Sequence, residues 1–224
     1  MARYKEYGYD IQDGKAIIPE WETEIKEEAF EDCKELTSVE LPQWIKRIEP
    51  FAFYGCENLT EITLPESGTK IGDDAFYGCS SLTSISIPPS VTDIGSSAFE
   101  GCTSLTGISI PPSVTEIGNS AFCDCSSLTS ISIPESVTEI GYDAFSGCSS
   151  LKSITIPPSV TEIGGYAFSR CSSLTSISIP PSVTDILKGA FSDCTSLTEV
   201  RIPKGCNVDE DAFEDCPNVQ IIRY

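Results

Sequence analysis

The sequence predicts an α/β repeat solenoid: a stack of similar units, each built from a short strand and tight turns. Two observations carry the prediction. The segment Ala-Phe-x-x-Cys occurs nine times, and eight of its closing cysteines, from Cys33 to Cys194, fall 23 residues apart, with Cys216 one residue early. A proline also recurs nine times at the same spacing, from Pro19 to Pro203. A period held this strictly means that each unit does the same job in a stack, from about Ile18 to Ile222.

One unit, residues 82–104, shows what each position does. From Ile85 to Ile87 apolar and hydroxyl residues alternate, the period-two mark of a half-buried strand. Pro88 ends the strand because proline cannot donate to the next ladder bond. Val91 and Ile94 form a second inward-facing segment. Ala98-Phe99 is expected to make a single helical turn that sends the ring into the core. The position two after the phenylalanine is Gly or Asp in every unit but one, and both tolerate positive φ. The exception, Arg170, is expected under mild backbone strain. The position after Ile94 is Gly in five units but Leu187, Glu49 and Lys26 elsewhere, so positive φ is not required there. A lone unit leaves both flat faces wet, and stacking covers them and pairs each strand edge with a neighbour.

The 34 acidic and 14 basic residues give a formal charge of −20. Phosphate backbones and anionic bilayers call for basic clusters, so no nucleic-acid partner and no membrane insertion are expected. No apolar run is long enough to span a bilayer, and the first residues lack the apolar stretch of a secretory signal. Eleven cysteines suggest disulfides, but nine follow the repeat. Side chains in one ladder point the same way, whereas a disulfide needs facing Cβ vectors. These nine are read as buried thiols packed as small apolar groups. Cys123 and Cys206 lie off the ladder and are read as oxidisable pair members or free thiols.

The pattern Leu82-x-x-Ile85-x-Ile87-Pro88-x-x-Val91-x-x-Ile94-x-x-x-Ala98-Phe99-x-x-Cys102 resembles the leucine-rich-repeat superfamily, specifically its 23-residue BspA-like, Treponema pallidum-type class. The resemblance implies a right-handed, curved leucine-rich-repeat stack with a parallel sheet on one face. It also implies exported or cell-surface proteins used for adhesion and protein binding, and it supplies no catalytic residues. Departures cluster at the ends, as terminal repeats face water on one side. Residues 1–18 are read as a capping segment with a hairpin around Asp13-Gly14, residues 19–216 as the solenoid of about nine units, and 217–224 as a terminal strand. The last unit loses a residue between Ile202 and Phe213, and Val219 replaces the leucine.

Three surface features compete as binding sites. The strand residues that face out in the middle of the chain, among them Ser84, Ser86, Ser130 and Ser132, form a hydroxyl face with no charge or aromatic group. It reads either as a polar surface for a peptide or glycan, or as a soluble coating. Asp93, Glu116, Glu139, Glu162 and Asp185 form an acidic ladder. Calcium would relieve its repulsion, but one carboxylate per repeat lacks the clustered oxygens of a dedicated site, so a solvated face is the reading and no metal or other cofactor is expected. Trp21 and Trp44 replace the serines of later units, Phe51, Tyr54 and Tyr77 are further aromatics in the early repeats, and Arg47 and Lys70 replace the acidic ladder there. This aromatic-plus-basic patch reads as an interaction site, or as bulk that shields the N-terminal end of the core. Asn58-Leu59-Thr60 is a glycosylation sequon or an ordinary turn.

The chain contains no histidine and no P-loop, GxSxG or dinucleotide fingerprint, and Cys123-Asp124-Cys125 is too little for zinc. A regular solenoid also offers no deep pocket, so no enzyme is expected. The leading expectation is a non-enzymatic, adhesin-like protein-binding module, extracellular or on a cell surface, whose partner is a host matrix or cell-surface protein. A structural spacer in a larger surface protein and an intracellular, cytoplasmic scaffold are the alternatives. A monomer is expected, with end-to-end association open.

Overall fold

A computed structural model describes residues 3–224. Met1 and Ala2, the first two residues of the expected capping segment, lie outside the described residues. Each unit runs once around a three-sided section, and units stack in parallel. The first side carries the strands read from the Ile85–Ile87 pattern. It holds the hairpin of β1 (Asp10–Gln12) and β2 (Lys15–Ile17), then Ser38–Glu40 and Glu61–Thr63 in one sheet. Single bridges at Ser84 and Ser86 lead on to Gly107–Ser109 and Ser130–Ser132. Past the proline corner, the second side is a ladder of two-residue strands from Glu24–Ile25 to Asn207–Val208.

The third side corrects the α/β expectation. The expected helical turn at Ala98-Phe99 does not form, and the one helix among the described residues is the four-residue Arg3–Glu6. In eight of the nine turns two residues are left-handed instead, one before the alanine and one two after the phenylalanine, for example Ser97 (φ 51°) with Gly101 (φ 71°). Between them the N–H groups alternate in direction. Ala98 and Glu100 donate within the unit, to Gly95 and Ser97, while Ser97, Phe99 and Gly101 donate to Asn119, Ala121 and Cys123 of the next unit. A helix would aim every N–H along its own axis. The left-handed residues turn alternate N–H groups toward the neighbouring layer, so the third side becomes another interlayer ladder. The molecule is a parallel β-solenoid.

Inside, Phe30 to Phe213 form an unbroken column of nine rings, with centroids 5.2–5.5 Å apart and planes within 2–10°. Tyr4 and Tyr9, both buried, stack on Phe30 at 5.7 Å and cover the first layer. The cysteines do more than fill space. From Cys56 on, each repeat thiol donates to the carbonyl of the phenylalanine one unit back, as Cys102 Sγ does to Phe76 O at 3.2 Å. All eleven cysteines are free and buried, including Cys123 and Cys206, which form no pair.

Two departures from strict repetition have local causes. Residues 153–155, expected as a strand, form none. The break coincides with Lys152, which stands where Thr60, Thr106 and Thr129 donate to the preceding unit. The glycines after the second-side isoleucines are there for closeness, not for φ: a Cβ on Gly164 would lie 2.7 Å from Ile140 O.

Burial pushes the thiols of Cys79, Cys123 and Cys171 up to about 12. The folded state then holds these protons more tightly than the unfolded chain, whose thiols titrate near 9.0. The stability they contribute is whole below about pH 9 and is lost as the pH climbs toward 12. At neutral pH a thiol reagent should label the native protein only at its unfolding rate and should find eleven thiols in denaturant. Several fast-reacting native thiols would contradict this. Arg170 adopts φ 59° where four other units have glycine, and its contact with Asp124 is an exposed ion pair at 3.5 Å. The left-handed conformation costs a non-glycine residue about 1 kcal/mol, more than such a pair returns. Arg170→Gly should raise the urea midpoint, by an amount equivalent to at most about 1 kcal/mol.

Candidate binding surface

The hydroxyl face lies on the first side. Ser84, Ser86, Ser130 and Ser132 are exposed there, and the outward column from Ser84 to Ser178 holds only serine, threonine and Gly107. The acidic residues of the second side stand in register, Glu116 with Glu139, Glu162 and Asp185. Thr184 and Asn207 hold Asp185 below the usual carboxylate range. Among the described residues no group of acidic or cysteine side chains converges as a metal site would require.

The aromatic-plus-basic residues of the early units occupy different sides. Trp21 and Trp44 sit at the corner between the first and second sides and are 80% and 56% exposed. The units from Ser67 to Ser182 place serine there, and the last has Gly205. Ser67 Oγ, for example, lies 2.6 Å from Gln43 O and 2.9 Å from Ile45 O, tying its corner to the one before. Trp44 forgoes that tie; for Trp21 the corresponding carbonyls, 24 and 22 residues back, lie outside the described residues.

Arg47 and Lys70 face out on the second side, opposite one another in the ladder. Arg47 is engaged by Glu24 and, at 2.8 Å, by Glu49. Its guanidinium is held above its ordinary value first by Glu24, and Lys26 and Arg47 hold Glu24 below its own. Lys70 is exposed and without an ion-pair partner among the described residues. Phe51, Tyr54 and Tyr77 are half-buried on the third side. Tyr54 stacks on Tyr77 at 4.7 Å and 7°, with Phe51 tilted against Tyr54 at 5.9 Å. Glu100 pushes the Tyr77 hydroxyl up. The structure thus splits these residues into a tryptophan corner, a cationic pair and a tyrosine stack.

Beside the tryptophan corner lies a feature that sequence reasoning missed. An open groove of about 400 Å³ is lined by residues 15–18 and 40–43 together with Glu20. Trp21 and Trp44 directly follow Glu20 and Gln43 in the chain. Ile17, 43% exposed, contributes apolar surface where the hydroxyl column would place serine or threonine. That substitution was the available signal.

Among the described residues no helix is long and apolar enough to cross a membrane. The chain is similar to a leucine-rich repeat protein from Bacteroides ovatus (34% identity, TM-score 0.87), over 93% of this chain and 54% of that one, so it spans about half of that protein. It is also similar to the T. pallidum leucine-rich repeat protein (31% identity, TM-score 0.66), over 74% of this chain and 86% of that one. A leucine-rich cell surface protein from Faecalibacterium prausnitzii matches at 28% identity and a TM-score of 0.54, over 92% of this chain and 78% of that one. A search of curated proteins gave no match. The model of the BspA-type leucine-rich repeat region matches residues 23–130 and 115–224. The chain therefore belongs to the BspA-type leucine-rich-repeat family.

Proposed function

We propose that the chain is a non-enzymatic protein-binding module of a surface or secreted protein, and that it recognises its partner through the tryptophan corner. The observation that carries this reading is the exposure of Trp21 and Trp44 at positions where the next four units hold a hydrogen-bonded serine, Ser67 to Ser136. Exposed tryptophan at a groove is a usual centre of binding energy. The likeness to a cell surface protein of F. prausnitzii supports the location, and with it an adhesin-like role toward host matrix or cell-surface proteins. The uniform middle layers favour a second role, as a spacer that sets the distance of this end from whatever follows it. The solenoid would then act as a rod with its contact residues concentrated in the first units.

Matrix-coated surfaces and intact cells test the reading. The double variant Trp21→Ser, Trp44→Ser should lose about 2 kcal/mol or more of binding, roughly 30-fold in Kd. Its thermal unfolding should stay within about 0.5 kcal/mol of the parent, because both rings are exposed and serine at position 44 can make the tie that Ser67 makes. Unchanged binding by a folded double variant would remove the corner from recognition and leave the spacer role.

A further inference from the structure

We propose that the groove at the tryptophan corner takes a lysine- or arginine-bearing segment of a protein partner. This deepens the functional reading above and rests on it. Three features select a cationic ligand over a neutral or acidic one. First, the indole face is the strongest cation–π acceptor among side chains, and the chain's only two tryptophans are both exposed at this corner. Second, the groove carries the carboxylates of Glu20 and Glu40 against the single cation Lys15. Lys15 is engaged by Glu40, which it holds below its ordinary range, and Glu20 has no ion-pair partner among the described residues. Third, the formal charge of −20 draws polycations toward the whole surface and repels acidic segments. Exposed Ile17 gives the aliphatic stem of a lysine or arginine apolar surface to lie on while its head meets a carboxylate or an indole. A neutral glycan would gain from the rings but nothing from the charge.

The tryptophans also supply the assay. Excited at the red edge, where tyrosine is silent, emission reports on this corner alone. A short, terminally blocked arginine–glycine peptide should change that emission saturably at low ionic strength, and its affinity should fall steeply in about 0.5 M salt. Glutamine–glycine and glutamate–glycine peptides of equal length should not bind. The variant Glu20→Gln, Glu40→Gln keeps both indoles and should weaken the arginine peptide about tenfold. With a labelled peptide, Trp21→Ser, Trp44→Ser should weaken it by roughly 5- to 30-fold, which is two exposed cation–π contacts. Circular dichroism confirms that each variant folds. Equal binding of the glutamine peptide, or arginine-peptide affinity untouched by either variant, overturns the proposal; the latter would mean that the charged rod binds cations anywhere. If the tryptophan variant loses the matrix or cell ligand while the arginine peptide never binds, the corner stands as the recognition surface and only the cationic chemistry is wrong.

Discussion

Every layer of this molecule must present the same cross-section to the next, and that constraint governs all the rest. The phenylalanine column shows how it is met: rings 5.2–5.5 Å apart and nearly parallel from Phe30 to Phe213, an offset stack within the favoured range for aromatic pairs. Around this column all three sides bond from layer to layer. The first and second sides do so as strand ladders, the first interrupted at residues 153–155, and the third does so through the alternating N–H groups of the Ala-Phe turn. A side chain that swelled one layer would push three ladders out of register at once. The inward positions are therefore uniform. A thiol suits its place because it is small enough for the layer and still offers a proton to the carbonyl one unit back.

This explains which parts of the structure were legible in the sequence. The period, the inward phenylalanines and the proline corners are imposed by the layer and repeat in the letters. The left-handed position two after the phenylalanine was legible too, down to Arg170, because glycine and aspartate mark it. The equally left-handed position before the alanine was not. Glu28, Phe51, Ser97, Ser120 and Tyr166 all adopt positive φ there without the residue types that signal it, since interlayer hydrogen bonds override local preference. The expected helical turn failed for that reason. The thiol ladder was half legible: spacing revealed the burial, but a bond to a carbonyl one unit back exists only in three dimensions. The binding patch was the least legible. Positions close in sequence number fall on different sides of a three-sided section, so the tryptophans, the cations and the tyrosines part company.

Charge follows a different rule from packing, because it lies outside the layer constraint. Lys15, Lys26, Lys34 and Arg47 each meet carboxylates within the first three units, whereas the ladder from Glu116 to Asp185 runs in register without a cation. Exposed pairs of this kind add little stability each. They do not reverse the field: residues 3–81 still carry 18 acidic against 8 basic residues, and residues 82–194 carry 10 against 3. A charged ligand is then attracted from a distance by the rod as a whole, and contacts near the tryptophans must provide its specificity.

The choice between scaffold and contact surface turns on what each exposed residue does for the fold. A serine at the first corner is held by carbonyls of the preceding unit and so serves the stack. Trp44 gives up that tie and stays 56% exposed, and Trp21, 80% exposed, buries little of its ring. Nor are these rings needed to close the N-terminal end, because Tyr4 and Tyr9 already cover Phe30. Neither ring belongs to the buried core. Residues that the fold does not need, placed beside a groove and in the part of the rod where the strict repeat gives way, are best accounted for by contact with another molecule.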